Sequence, residues 1–80
     1  MPNLSTQRRD PRLTALGNSI RELRASQGVS QEALALLSGV DRSYVGRVER
    51  GDNNVAVLTL CRISDALGTR PSALLRKAGL

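Results

Sequence analysis

Three side chains between residues 41 and 51 have the chemistry and the spacing to contact the edges of nucleic-acid bases. Arg42 and Ser43 are adjacent, and Arg47 follows Ser43 by four residues, so a helix would place all three near one face. An arginine can bond guanine O6 and N7 through two parallel hydrogen bonds, and a serine hydroxyl can pair with a base or a phosphate. The pattern indicates either base contacts by Arg42, Ser43 and Arg47 or a solvated arginine face.

The residues around this trio have the sequence of two short helices joined by a tight turn. Ser30 is suited to cap the first helix, and Asp41 is suited to cap the second. Gly39 permits a positive φ between them, and the small Ala35 lets the helices approach closely. We therefore expect a helix-turn-helix whose second helix is shaped to enter a DNA major groove.

Apolar residues at three- and four-residue spacing predict three further helices. One runs from residue 13 or 14 to 27, one from 56 to 67, and one begins at Pro71 and frays toward Leu80. Together with the helix-turn-helix, they make an all-α domain of five helices over residues 13–80.

The polar segment 1–12 precedes this domain and shows no helical or strand periodicity. It is predicted to be a flexible basic arm. Its arginines, Arg8, Arg9 and Arg12, would either follow a phosphate backbone or minor groove, or belong to a solvated tail.

Composition narrows the classes of function. The net charge is +5, and all twelve cationic residues except Lys77 are arginines. The planar arginine side chain suits bidentate contacts to guanine and phosphate. Cys61 is the single cysteine and histidine is absent, so neither an intramolecular disulfide nor a Cys/His metal site can form. Without a nucleophile–base pair, a phosphate loop or clustered carboxylates, we expect no enzyme activity, metal, cofactor or small-molecule ligand.

The expected cellular location follows from the absence of long apolar runs in the sequence. Residues 1–12 contain no apolar stretch of a signal peptide, and no window approaches the roughly 18 apolar residues that a membrane span needs. We expect a cytoplasmic protein that associates with the nucleoid and not with a membrane.

The segment SQEALALLSGVDRSYVGRVERG, with NVAVLTLCRISDALGTRPSALL after it, resembles the phage-repressor and Cro-like (XRE-type) helix-turn-helix family of transcription regulators. The resemblance covers about residues 16–75. It rests on the Ser30-Gln31-Glu32 opening, Leu34-Ala35, Gly39, the Val45-x-x-Val48-Glu49-x-Gly51 run and the Ala66-Leu67-Gly68 ending. It implies a lambda-repressor-like fold. The chain length and the string Asp41-Arg42-Ser43-Tyr44 look most like restriction-modification controller proteins.

The resemblance also implies roles for individual residues. Arg42, Ser43 and Arg47 would meet bases, and the expected phosphate contacts are Gln31, Tyr44, Arg50 and Gly51. Tyr44 has the alternative of packing at the rim. Arg24 and Glu49 would form a buried ion pair, which fits the physics, because an anion near a helix C-terminus opposes the helix dipole unless a cation compensates it.

One recognition helix covers only a few base pairs, so specific binding to double-stranded DNA calls for a homodimer on an inverted-repeat operator. The expected interface on the last two helices comprises Leu58, Leu74, Leu75 and Leu80. RNA polymerase remains open as a further partner.

The alternative function is an antitoxin-like or other protein-interaction module. It would use Leu36 and Leu37, which stand where the family usually has charged residues. These two leucines either form such a contact surface, or one of them deepens the core.

Overall fold

The computed structural model describes residues 9–80, and this part of the chain forms five α-helices and no strand. The helices are α1 (Pro11–Ser26), α2 (Gln31–Ser38), α3 (Arg42–Arg50), α4 (Val57–Ala66) and α5 (Pro71–Lys77). The prediction of an all-α domain with five helices is confirmed. The predicted helix bounds differ from the observed ones by a few residues at most.

The first helix begins at Pro11, two residues before the predicted start of the domain at residue 13. Asp10 caps the helix by accepting a hydrogen bond from the Arg12 N–H at 2.9 Å, and Pro11 fills a position where a missing N–H costs nothing. The Arg12 guanidinium donates to the same carboxylate at 3.0 Å, and these contacts lower the pKa of Asp10 to about 2. The expected flexible arm otherwise lies outside the described residues.

The core is aliphatic and receives residues from all five helices. It comprises Leu16, Ile20, Leu34, Ala35, Val45, Val48, Leu60, Ile63, Leu67 and Leu74. Leu74 was expected at a dimer interface, and this expectation is wrong, because the side chain is 1% exposed within a single chain. The Leu74 carbonyl also accepts a hydrogen bond from the buried Ser19 hydroxyl at 2.9 Å, which fastens α5 to α1.

Helix α1 touches the backbone of α3 at Gly17. A Cβ at this position would lie 2.4 Å from the Val48 carbonyl oxygen and 2.5 Å from that of Glu49. Only glycine permits this approach, because carbon and oxygen atoms do not come so close without bonding. Gly17 therefore sets the distance between α1 and the helix that carries Arg42, Ser43 and Arg47.

We expect Gly17→Ala to lower the free energy of unfolding by about 3 kcal/mol, at the upper end of ordinary overpacking, because the obstructing atoms are backbone. Urea denaturation followed by circular dichroism measures the change.

Gly46→Ala is the matched control, since Gly46 is also a glycine within a helix. Its Cβ would meet the end of the flexible Arg50 side chain at 3.2 Å and the Gln31 side-chain oxygen at an ordinary 3.8 Å. Alanine also favours a helix over glycine by about 1 kcal/mol. This variant should be neutral or slightly more stable. Equal losses in the two variants would mean that Gly17 does not set the helix spacing.

Candidate DNA interface

Helices α2 and α3 form the predicted helix-turn-helix, and side chains and turn residues fix its ends. The Ser30 hydroxyl accepts a hydrogen bond from the Ala33 N–H at 3.0 Å, which caps α2. Gly39 ends α2 with φ at 71°, in the left-handed region that suits glycine. Asp41 then caps α3 by accepting from the Ser43 N–H at 3.1 Å. These contacts hold the start of α3 at a defined angle to α2.

The nine residues of α3 divide into a buried and an exposed face. Val45 and Val48 point into the core, whereas Arg42, Ser43 and Arg47 are exposed. The three predicted base-contacting residues therefore share the outer side of one helix. Their roles toward DNA stay a prediction.

Arg47 is held from three directions, although it lies on the surface. Its guanidinium lies over the Tyr44 ring, 5.7 Å from the ring centre, and its Nη1 donates weakly to the Ser43 hydroxyl oxygen at 3.5 Å. With its amide oxygen turned toward the arginine, Asn53 accepts from Arg47 Nε at 3.1 Å. Nη2 has no partner among these contacts. Asn53 was not singled out from the sequence, because it lies beyond the end of α3.

Tyr44 is half-buried and packs against the core. Its ring therefore contacts the core on one side and the Arg47 guanidinium on the other. The packing interpretation is thus observed, and the contact of the hydroxyl with phosphate stays a prediction.

The structure brings Arg24 and Glu49 together as a nearly enclosed ion pair. Arg24 Nε donates to Glu49 Oε2 at 2.6 Å, and Arg24 Nη2 donates to Oε1 at 2.9 Å. The side chains are 14% and 3% exposed. The hydrogen bonds to Glu49 raise the pKa of Arg24. The remaining nitrogen, Nη1, donates to the Val29 carbonyl at 2.9 Å, so the pair also fixes the link between α1 and α2.

Gln31 contacts this pair at the start of α2. Its Nε2 donates to Glu49 Oε1 at 2.9 Å, so one of its two amide hydrogens is used inside the protein. The sequence suggested a phosphate contact for Gln31, and only the second hydrogen remains for that contact.

Gly51 was expected to present its backbone amide to phosphate, and this expectation is wrong. Gly51 is buried, with φ at 78°, and its N–H donates to the Val48 carbonyl at 3.0 Å. Thr14 of α1 lies against it, 2.7 Å from the place a Cβ would occupy. Gly51 therefore ends α3 and packs against α1, and its amide is not available to a ligand.

Asp52 holds two arginines beside the end of α3. Arg50 Nε donates to one of its carboxylate oxygens at 3.2 Å, and Arg9 Nε donates to the other at 3.1 Å. The Arg9 N–H also donates to the Gly51 carbonyl. The start of the described chain is thus attached to the end of α3, and Arg50 lies exposed at this end.

The two leucines of the alternative hypothesis are both on the surface. Leu36 is 81% exposed and Leu37 is 64% exposed, so neither deepens the core. The interpretation of one leucine as a core residue is therefore wrong, because the inner side of α2 is formed by Leu34, Ala35 and Ser38.

Comparison with known proteins identifies the family. The profile of a helix-turn-helix family matches residues 20–74. Control protein C.SmaI of Serratia marcescens is 42% identical over 65 residues, which cover 81% of this chain and 77% of that protein. Control protein C.BamHI of Bacillus amyloliquefaciens is 40% identical over 60 residues, 74% of each chain. The crystal structure of the restriction-modification controller protein C.AhdI from Aeromonas hydrophila superposes with a TM-score of 0.76 at 50% identity, covering 78% of this chain and 94% of that one.

The chain belongs to the helix-turn-helix family of DNA-binding transcription regulators, of the XRE type that the motifs indicated. Within that family it is related to the controller proteins of restriction-modification systems, as the string 41–44 suggested. The relatives that it matches are control proteins and transcription regulators.

Residues 9–80 contain neither a metal-binding cluster nor a membrane-spanning helix. No group of three or more acidic, cysteine or histidine residues within this range could hold a metal ion. No helix in the same range is long and apolar enough to span a membrane.

We expect Glu49→Gln to lower the free energy of unfolding by about 3 kcal/mol. Three donor groups converge on this carboxylate, from Arg24 Nε, Arg24 Nη2 and Gln31 Nε2. A glutamine offers one acceptor oxygen and turns an NH2 group toward the remaining donors. Thermal and urea denaturation measure the loss.

Glu22→Gln is the control for this substitution, because it removes the same charge from an exposed pair. Glu22 accepts from Lys77 at 3.3 Å, and the Glu22 and Lys77 side chains are 62% and 47% exposed. Its loss should stay below about 1 kcal/mol. A loss for Glu49→Gln no larger than that of the control would show that the enclosed pair does not stabilise the fold.

Proposed function

We propose that the protein binds an inverted-repeat operator in double-stranded DNA as a homodimer and serves as a restriction-modification controller. The observation that carries this proposal is the exposed face of α3, where Arg42, Ser43 and Arg47 lie together on a helix whose other face is fixed in the core. A helix held in this way can enter the major groove with its first turns toward the base edges.

The proposed base and phosphate contacts are assigned to side chains that still have a hydrogen-bonding group free for DNA. Arg42 and Arg47 would each bond a guanine, and Ser43 would contact a neighbouring base. Gln31, through its second amide hydrogen, Tyr44, through its hydroxyl, and Arg50 would contact phosphates on either side.

Arg47→Ala should reduce the preference for the correct base pair at one operator position by roughly 10- to 100-fold, because a bidentate arginine–guanine contact is lost. Arg42→Ala should do the same at a different position. The operator is first selected from a random pool of duplexes, and each variant is then titrated against the operator and its single-base substitutions at fixed salt concentration.

Lys77→Ala is the control for the loss of one positive charge. Lys77 lies on α5 and pairs with Glu22, so its removal should leave the base preferences unchanged. The proposal fails if no inverted repeat is recovered, or if Arg47→Ala weakens binding to every duplex by the same factor.

The proposed dimer contact rests on apolar side chains of α4 and α5 that a single chain leaves uncovered. Leu58 is 75% exposed, and its neighbour Val57, which the sequence did not single out, is equally open. Leu75, which is partly buried against the core, and the exposed Leu80 line one groove at the end of α5. These side chains would be covered in a symmetric pair, since each copy presents the same patch to the other.

We expect Leu58→Glu to shift the protein toward monomer in sedimentation equilibrium and to lower its affinity for the two-site operator by at least about tenfold. The reason is that the substitution introduces a carboxylate into each half of an apolar interface. Binding to a duplex with one half-site should change little.

Leu36→Glu is the matched control, because it places the same charge on an equally exposed leucine of α2. It should leave the dimer intact. If Leu36→Glu dissociates the dimer and Leu58→Glu does not, the interface lies on α2 instead.

The exposure of Leu36 and Leu37 keeps the second candidate function, a protein-interaction module, in consideration. Under that function, Arg42→Ala and Arg47→Ala would leave partner binding intact, and substitution of the two leucines would abolish it. Failure to select any operator would favour this function.

A further inference from the structure

We infer that Ser43 acts only as a hydrogen-bond acceptor toward DNA and therefore recognises the amino group of an adenine or a cytosine. Asp41 sets this hydrogen-bonding polarity, because it takes the hydroxyl hydrogen of Ser43. The inference rests on the proposed function, because it assumes that α3 enters a major groove. It goes further in naming which chemical group Ser43 can contact and which residue decides it.

The single hydroxyl hydrogen of Ser43 is already used inside the protein. A serine has one hydrogen to donate and two lone pairs that accept. The Ser43 hydroxyl donates to Asp41 Oδ2, and its own N–H donates to the same oxygen at 3.1 Å. Because the acceptor is a carboxylate, this hydrogen bond is stronger than one to a neutral oxygen.

Asp41 is well suited to keep that hydrogen. The hydrogen bond from the Ser43 hydroxyl is the main contact that lowers the pKa of Asp41, helped by the amides of α3 and the charge of Arg47. The residue therefore stays ionised near neutral pH. An ionised carboxylate accepts and cannot donate, so the hydrogen bond between the two side chains has only one possible direction.

Arg47 reinforces the same polarity from the other side. Its Nη1 approaches the Ser43 oxygen as a donor at 3.5 Å, a weak contact that leaves lone-pair density free. The exposed face of the hydroxyl thus presents lone pairs and no hydrogen.

The hydrogen-bonding groups that bases present in the major groove are either donors or acceptors. Adenine N6 and cytosine N4 carry amino hydrogens, whereas guanine O6 and N7 and thymine O4 are acceptors. An oxygen that can only accept is attracted to the amino groups and repelled by the acceptor atoms. Phosphate oxygens also only accept, so the same argument assigns Ser43 to a base rather than to the backbone.

The test uses the selected operator duplex and its analogues that lack one amino group. Purine replaces adenine, or pyrimidin-2-one replaces cytosine, at one position at a time, and binding of the dimer is measured by fluorescence anisotropy. For the unmodified protein we expect one position per half-site where loss of the amino group weakens binding by roughly 3- to 10-fold, through the loss of one hydrogen bond.

Ser43→Ala should bind the intact operator more weakly by a similar factor and should be insensitive to the analogue at that position. Ser43→Thr, which keeps the hydroxyl, should retain the sensitivity. Arg42→Ala is the comparison variant, since it should weaken binding and still discriminate the analogue. Circular dichroism verifies that each variant keeps its helices.

Asp41→Asn tests the source of the polarity. Asparagine caps a helix about as well as aspartate, but its neutral amide can also donate, which frees the serine hydrogen. We expect the preference for the amino-bearing base over guanine or thymine at that position to fall by roughly threefold or more. The ratio cancels any general gain from the removed negative charge.

Each result decides between outcomes. The inference is overturned if the analogues have equal effects in the unmodified protein and in Ser43→Ala. It is also overturned if the Ser43-dependent position prefers guanine or thymine, or if Asp41→Asn leaves the base preference unchanged. All three would leave the proposed function intact if Arg47→Ala still loses its base preference. Failure to recover an operator would overturn the proposed function, and this inference with it.

Discussion

The ion pair between Arg24 and Glu49 is the interaction on which the arrangement of the helix-turn-helix depends. It joins the end of α1 to the end of α3, and its remaining donor and acceptor groups reach Val29 and Gln31. Burying charges is costly, and the cost is offset only when every hydrogen-bonding group is satisfied. Here no buried side-chain nitrogen or oxygen of the described residues lacks a partner. The pair thus fixes where three helix ends meet, which generic apolar packing specifies less sharply.

The close approach at Gly17 complements this pair. The ion pair sets the direction in which α1 and α3 are held, and the absence of a side chain at Gly17 sets how near they come. Both act on the inner face of α3. The outer face is thereby presented on a rigid support, although α3 has only nine residues.

Much of this fold followed from the sequence, because its helix boundaries are marked by local chemistry. Ser30, Gly39 and Asp41 act on backbone groups within a few residues, so their roles can be recognised without knowledge of the rest of the chain. Leu74, Gln31 and Gly51 were assigned incorrectly or incompletely. Whether a leucine of α5 faces inward, or which partner takes an amide hydrogen, depends on residues distant in sequence. Residue spacing alone does not contain that information. For the same reason the close approach of α3 at Gly17 could not be predicted from the sequence.

The carboxylates beside α3 have a consequence for how binding responds to salt. Asp52 neutralises part of the charge of Arg9 and Arg50, and Asp10 does the same for Arg12. A cation that already has an anionic neighbour in the free protein gains less from meeting a phosphate and adds less to the release of condensed counterions from the duplex. The ionic-strength dependence of affinity should therefore correspond to fewer phosphates than the number of arginines suggests. A larger share of the binding energy is then left to the base contacts, which carry sequence information.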